Sequence, residues 1–406
     1  MDISNLINKK DSKILLIVLD GLGGLPVREG KTELELANTP NLDRLAKESA
    51  LGLHIPVDHG ITPGSGPGHL GIFGYDPIKY SIGRGILEAL GLGMEVKNTD
   101  IAVRGNFATV SYENGRIIVR DRRAGRISTE ENRKIVKELR ENIKEIEGVK
   151  VFIESGMEHR IAVVFRFPEP LPEGSDRIND TDPQIEGAEP LKARGDTEEA
   201  SRVAEIVNKF IEKTSELLKG RDRANYILMR GFSQKPCIPS MEERFGVKAC
   251  CIASYPMYRG LASVVGMDII EFEGTDLESQ IDMLRKVWHD YDYFFFHIKR
   301  TDSYGEDGNW ESKVKEIEKF DEKLPEILSM NPDVIVITGD HSTPSVMKSH
   351  SWHPVPVLLK SPYVMGGTSN RFTERECLKG ELGMFKAKKL IQLMLAHAGK
   401  LKKYGA

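Results

Sequence analysis

Short, unbroken apolar runs alternate along the chain with longer stretches in which apolar residues recur every three or four positions. The first kind reads as strands buried on both faces and the second as helices packed against them. Their alternation predicts an α/β fold with a mostly parallel sheet flanked by helices. The clearest strands are "ILLIVLD" at 14–20, "YFFFHIK" at 293–299, "DVIVITGDH" at 333–341 and "VPVLLK" at 355–360. "TPNLDRLAKES" at 39–49 predicts a helix with Thr39 as cap and Pro40 in the first turn, and further helices fit near 275–290 and 310–330.

The middle of the chain breaks this rhythm. "ISTEENRKIVKELRENIKEIEG" at 127–148 reads as a long charged helix, and "HRIAVVFRF" at 159–167 as a strand running into the proline-rich turn "PEPLPEG". An inserted, smaller α+β domain is therefore expected over 99–224, within a core made of 1–98 and 225–406. The core pattern resumes in "NYILMRG" and "VKACCIASYP".

Charge narrows the partners. The 406 residues carry a net charge of −4 without a Lys/Arg stripe, which argues against nucleic acid and against a polybasic membrane surface and leaves a small-molecule partner. Ile14–Leu19 is too short to span a bilayer and follows a charged start unlike a signal peptide. Cys237, Cys250, Cys251 and Cys377 lack metal-binding spacing and are expected as reduced thiols, which fits a cytoplasmic protein.

Three predicted strands end in acids: Asp20 after "ILLIVL", Asp302 just past "FFFHIKRT", and Asp340 after "VIVITG". Ligands of open α/β sheets bind beyond the carboxyl ends of the strands, so these acids are expected to converge, and convergent anions need cations. Their neighbours Glu306, His341, His350 and His353 are metal-ligand types, and a carboxylate–imidazole mixture suits Mn²⁺ or Zn²⁺ better than Ca²⁺. "TPGSGPGHLGIFGYDP" at 62–77 adds Ser65, a serine opening a helix after a glycine-rich turn, where free N–H groups and the helix dipole welcome a phosphate. Singly, each residue has an ordinary structural reading as a turn former, a cap or a packed histidine. Their coincidence at the strand ends of one sheet is what points to chemistry. A serine needs a base or metal to become a nucleophile, so the pattern suggests phosphoryl transfer through a phosphoserine at a two-metal site.

"VLDGLGGLP", "TPNLDRLA", "PGSGPGHL", "GRGILEALG", "RGNFATV", "DRRAGRI", "HIKRTDSYGEDGN" and "GDHSTP…SHSWHPVPVLL", in this order over nearly the whole chain, resemble the archaeal-type 2,3-bisphosphoglycerate-independent phosphoglycerate mutases of the alkaline phosphatase superfamily. The resemblance implies an alkaline-phosphatase-like core and a substrate-binding insert that closes as a lid. It also implies two divalent metals, Mn²⁺ foremost with Zn²⁺, Co²⁺ or Mg²⁺ as alternatives, and no 2,3-bisphosphoglycerate. By that analogy Asp20, Ser65, Asp340 and His341 hold one metal, and Asp302, Glu306 and His350 the other. Ser65 takes the phosphate and returns it to the other hydroxyl of glycerate, interconverting 2- and 3-phosphoglycerate in glycolysis and gluconeogenesis. The insert then supplies substrate ligands from Asp121, Arg122, Arg123 and Arg126, with Arg104 and Asn106 as further candidates; Arg160, and Arg244 in the core, rank below them, with solvation or salt bridges as their ordinary reading. The chain departs from the family pattern where Glu306 replaces a histidine and His353 an acid or amide, which admits His353 as a compensating ligand. That departure keeps a second reading in view: a metal-dependent phosphotransferase or phosphatase acting on another small phosphorylated alcohol, such as homoserine phosphate.

Overall fold

The computed structural model describes residues 3–80 and 82–405. Two compact units emerge: Met1–Ser81 with Ile238–Ala406, and Ile82–Cys237. The strands in chain order are β1 Ile14–Leu19, β2 Ala50–Ile55, β3 Asp100–Glu113, β4 Arg116–Asp121, β5 Glu145–Ile146, β6 Val149–Ser155 and β7 Arg160–Arg166. They continue with β8 Tyr226–Gln234, β9 Ala249–Ala253, β10 Asp268–Ile269, β11 Tyr293–Ile298, β12 Val334–Thr338, β13 Val355–Lys360 and β14 Gly383–Lys386.

The discontinuous unit holds an eight-stranded sheet in the order β10-β9-β11-β1-β12-β13-β2-β14. Its pairs are parallel except for β12–β13 and β13–β2. Thus "VPVLLK" is a buried strand, as its composition predicts, but runs antiparallel to its neighbours. All six residues of β1 are buried between β11 and β12, and each such side chain contributes roughly 1.5–3 kcal/mol of burial. This central strand sets the register: Ile14 lies beside Tyr293 and Val334, so Asp20, the Asp302 turn and Asp340 all emerge at the same sheet end. The helices expected near 275–290 and 310–330 are Leu277–Val287 and Trp310–Leu328. Thr39 does occupy the cap position of the helix Pro40–Lys47, but its side chain makes no capping hydrogen bond.

The Ile82–Cys237 unit is wider than the expected 99–224 insert at both ends. On one side the helix Arg84–Gly91 packs on β3. On the other, "NYILMRG" does not resume the large sheet: it is β8, antiparallel to β3 in a second sheet with the order β4-β3-β7-β6-β5. The charged helix also ends earlier than expected, spanning Thr129–Asn142, because Glu145–Ile146 turns back to pair with β6. Its apolar stripe of Ile135, Val136 and Leu139 joins a separate core with Val203, Val207 and Phe210 of the helix Glu198–Leu218. This unit is an α+β domain built on an antiparallel sheet.

Candidate active site

The sheet end beyond β1, β11 and β12 gathers the acids that the sequence singles out. Asp20 leaves β1 fully buried, its backbone N–H still bonded to the Ile298 carbonyl. Asp302 sits in the first turn of the helix Arg300–Glu306, and Asp340 and His341 follow β12, all buried. His341 Nε2 lies 3.4 Å from Asp20 Oδ1 and 3.1 Å from Asp340 Oδ2. His350 Nε2 is 3.5 Å from Asp302 Oδ1 and 3.5 Å from Glu306 Oε1. The His341 and His350 rings stack with centroids 3.6 Å apart.

The other ring nitrogens explain the orientation. His350 Nδ1 donates to the Pro63 carbonyl at 3.0 Å, and His341 Nδ1 meets the Thr343 hydroxyl at 2.9 Å. Each histidine therefore turns its Nε2 lone pair toward the carboxylates, the arrangement by which metal-ligating histidines are held. Two sets have ligand atoms within 4.8 Å of one another: Asp20, Asp340 and His341, and Asp302, His341 and His350. Among the described residues, Asp20 Oδ1 and Oδ2, Asp340 Oδ2 and His341 Nε2 are buried without a hydrogen bond, their contacts being the ion pairs of Asp20 with Lys299, His297 and His341 and of Asp340 with His69 and His341. Buried polar atoms are normally satisfied, so orphans aimed into one space are what a cation site presents. The residues therefore fit a metal centre.

Charge behaves accordingly. Burial opposes ionisation of Asp20, yet Lys299, His297 and His341 hold its carboxyl well below the usual range. Burial, and then the Asp20 charge, push Asp340 well above that range. Burial pulls His341 well below the ordinary imidazole value, keeping its lone pair free. Glu306 is raised by burial and by Asp302. Lys299 Nζ stands 2.5 Å from Asp302 Oδ2 and 3.1 Å from Asp20 Oδ2, a resident counter-charge that sequence reading overlooks.

Ser65 is the first residue of the helix Ser65–Ile72, after Gly64 in an extended conformation. Its carbonyl accepts from His69 Nδ1 at 2.8 Å, and the same nitrogen is 3.1 Å from Asp340 Oδ2. The buried Tyr258 hydroxyl lies against Asp20 and Ser65. A Cβ on Gly68 would stand 2.7 Å from the Asp340 carbonyl oxygen, so glycine is what lets this helix approach the acid loop. His353 stands apart from both sets: its Nδ1 meets Ser351 Oγ at 3.1 Å and its ring stacks on Trp352.

In the Ile82–Cys237 unit, sheet register collects a second group. Arg104 of β3 lies opposite Arg230 of β8, and Asn106 lies opposite Arg160 of β7. Residues 104 and 106 share a face, so this face carries several guanidiniums at once. Burial pulls Arg104 below the ordinary arginine range, Glu88 opposes, and Arg160, Arg230 and Arg84 add to the pull. Among the described residues, Arg104 Nε and Asn106 Oδ1 are buried without a hydrogen-bond partner, Arg104 Nε standing 3.8 Å from Glu88 Oε2. Arg84 and Arg230 are absent from the sequence-based set. In "DRRAGR" the roles divide. Asp121 accepts the backbone N–H groups of Arg123 and Gly125 as a turn former. Arg122 is bound bidentately by Asp182 at 2.8 and 2.7 Å, while Arg123 and Arg126 are exposed. Arg244 stacks over Tyr75 in the other unit.

Known proteins resemble this chain from end to end. A family model described as 2,3-bisphosphoglycerate-independent phosphoglycerate mutase matches residues 46–223. A protein of Aquifex aeolicus named for that activity is 71% identical over 404 residues, covering 100% of this chain and 99% of its own. One from Thermus thermophilus, named likewise, is 53% identical over 408 residues, covering 100% and 98%. Among solved structures, a cofactor-independent phosphoglycerate mutase from Thermoplasma acidophilum is 30% identical with a TM-score of 0.76, covering 96% of this chain and 100% of its own. A Pyrococcus horikoshii protein is 32% identical with a TM-score of 0.81, covering 98% and 100%. No helix among the described residues is long and apolar enough to cross a membrane.

Proposed function

The chain belongs to the 2,3-bisphosphoglycerate-independent phosphoglycerate mutases, and on that premise we propose that it interconverts 2- and 3-phosphoglycerate through a phosphoserine at Ser65. The observation that carries this is the cluster of orphaned Asp20, Asp340 and His341 atoms beside the helix that Ser65 opens. Asp20, Asp340, His341 and Ser65 are assigned to one divalent ion. Asp302, His350 and Glu306 are assigned to a second, with Glu306 included for its 3.5 Å approach to His350. The mixture of oxygen and imidazole donors admits Mn²⁺, Zn²⁺, Co²⁺ or Mg²⁺, and Mn²⁺ is taken first on the family resemblance. Bound there, a metal pair lowers the cost of ionising the serine and neutralises charge on the transferring phosphoryl group.

The residues' own parts follow. The Ser65 hydroxyl loses its proton as Oγ bonds to phosphorus, the bond from phosphorus to the glycerate 3-oxygen breaks, and that oxygen gains a proton in its place, so charge and protons balance. The glycerate re-orients and its 2-oxygen reverses the step, so phosphate is conserved. The Arg104, Arg160, Arg230 and Asn106 face of the insert supplies the donors that would grip a carboxylate together with a phosphate, for which bidentate guanidiniums are suited. Arg123 and Arg126 are kept as outer contacts, whereas the turn role of Asp121 and the Asp182 pairing of Arg122 favour support of that face. The soluble substrate fits a cytoplasmic place in glycolysis and gluconeogenesis.

Ser65→Ala tests this directly. Turnover is expected to fall to background while the melting temperature and metal content stay near wild type. Residual activity near wild type would refute the phosphoserine.

A further inference from the structure

Lys313 lies outside every motif that the function absorbs, and its chemistry is unusual. It sits on the helix Trp310–Leu328 with a side chain that is 0% exposed. Burying an ammonium is costly unless each N–H finds an acceptor and a counter-charge stands near. The three donors of Lys313 Nζ go to three main-chain carbonyls: Gly21 at 2.9 Å, Thr343 at 2.9 Å and Gly23 at 3.3 Å. Its counter-charge is the equally buried Glu33, 4.0 Å away.

Those carbonyls belong to the two loops that carry the proposed metal ligands. Gly21 and Gly23 follow Asp20, and Thr343 follows Asp340 and His341. The acids around Lys313 hold the same loops by their N–H groups. Glu33 Oε1 accepts from Ser345 at 2.9 Å, and Glu374 Oε1 accepts from Gly24 at 3.0 Å. From Thr343 the linkage continues to the ligands themselves. Its hydroxyl donates to Asp302 Oδ1 at 2.6 Å and meets His341 Nδ1 at 2.9 Å, while the Gly21 N–H reaches Asp340 Oδ1 at 3.2 Å. The fit around Thr343 is close, since a Cβ on Gly305, in the helix of Asp302, would lie 2.4 Å from its carbonyl oxygen.

We infer that Lys313 is a positioning residue: its buried ammonium clamps the loop after Asp20 to the loop after His341 and so fixes the ligand spacing of both metal sets. The Thr343 N–H already joins the loops, reaching the Gly21 and Gly23 carbonyls at 3.3 and 3.1 Å, and the ammonium adds to that pairing by gathering these two oxygens and the Thr343 carbonyl around one charge. The inference rests on the metal reading proposed above.

The test uses Mn²⁺ alone as probe, titrated calorimetrically into the metal-stripped full chain. Lys313→Met removes the ammonium, and Lys313→Met/Glu33→Gln also removes the charge that the single variant leaves unpaired. Thr343→Val keeps the ion pair and cuts the link to Asp302 and His341. Wild type is expected to bind two Mn²⁺ per chain. Each folded variant is expected to lose roughly tenfold to a hundredfold in affinity, the usual cost of removing a partner that orients metal ligands, with kcat lowered and KM for 3-phosphoglycerate near wild type. Wild-type affinity in a folded Lys313 variant, or in Thr343→Val, would overturn the clamp. A wild-type chain binding fewer than two Mn²⁺ would overturn the metal reading itself, a failure visible before any variant is compared.

Discussion

Asp20 and Asp340 are neighbouring buried carboxyls driven in opposite directions, one held ionised by Lys299 and two histidines, the other pushed toward its protonated form by burial and by Asp20. A cation bound between them would favour ionisation of both, as the proposed metal centre requires. These ligands are legible in the sequence because each ends an apolar run, and the ends of neighbouring parallel strands meet. Arg84, Arg230 and Lys313 are not legible. In the sequence they are ordinary cations, and only the fold, which puts them at the start of a helix, on β8 and inside a charged helix, gives them a task. Glu306 stands between these cases: its half-exposed carboxylate reaches His350 but lies outside the two tight ligand sets. Glu306→Gln is expected to weaken one of two metals by roughly tenfold and leave the other unchanged, read as a split in the Mn²⁺ isotherm. An unchanged isotherm would remove Glu306 from the ligand set.

At the scale of elements, the glycine-rich opening of the helix Ser65–Ile72 is explained by distance. Gly68 packs on the Asp340 carbonyl where any Cβ would collide with backbone that cannot yield. Gly68→Ala is expected to displace this helix, lowering kcat by an order of magnitude or more with a loss of roughly 1–3 kcal/mol in stability. Wild-type kcat in that variant would separate the helix position from catalysis. Element types were readable from hydrophobic period, but partners were not. "NYILMRG" has the composition of a core strand, yet β8 pairs with β3, and "VPVLLK" enters the large sheet antiparallel. Apolar period reports that a strand is buried on both faces without saying against which sheet. The unit boundary moved for the same reason, since the helix Arg84–Gly91 and β8 join the smaller sheet through contacts that no local pattern announces.

For the whole molecule, a mutase differs from a phosphatase in whether the phosphate on serine returns to glycerate or passes to water. On the proposed reading the first outcome rests on Ser65 and the Asp20, Asp340 and His341 cluster, and the arginines that face one another across β3 and β8 are assigned to the substrate. Both reactions would use Ser65 and the same ligands, so variants of those residues do not tell them apart. The products do. Metal-stripped protein incubated with 3-phosphoglycerate, with and without added Mn²⁺, can be followed by phosphorus NMR. Conversion to 2-phosphoglycerate without free phosphate, only in the arm with metal, is the predicted result. Free phosphate as the sole product, or 2-phosphoglycerate formed equally without metal, would contradict a metal-dependent mutase.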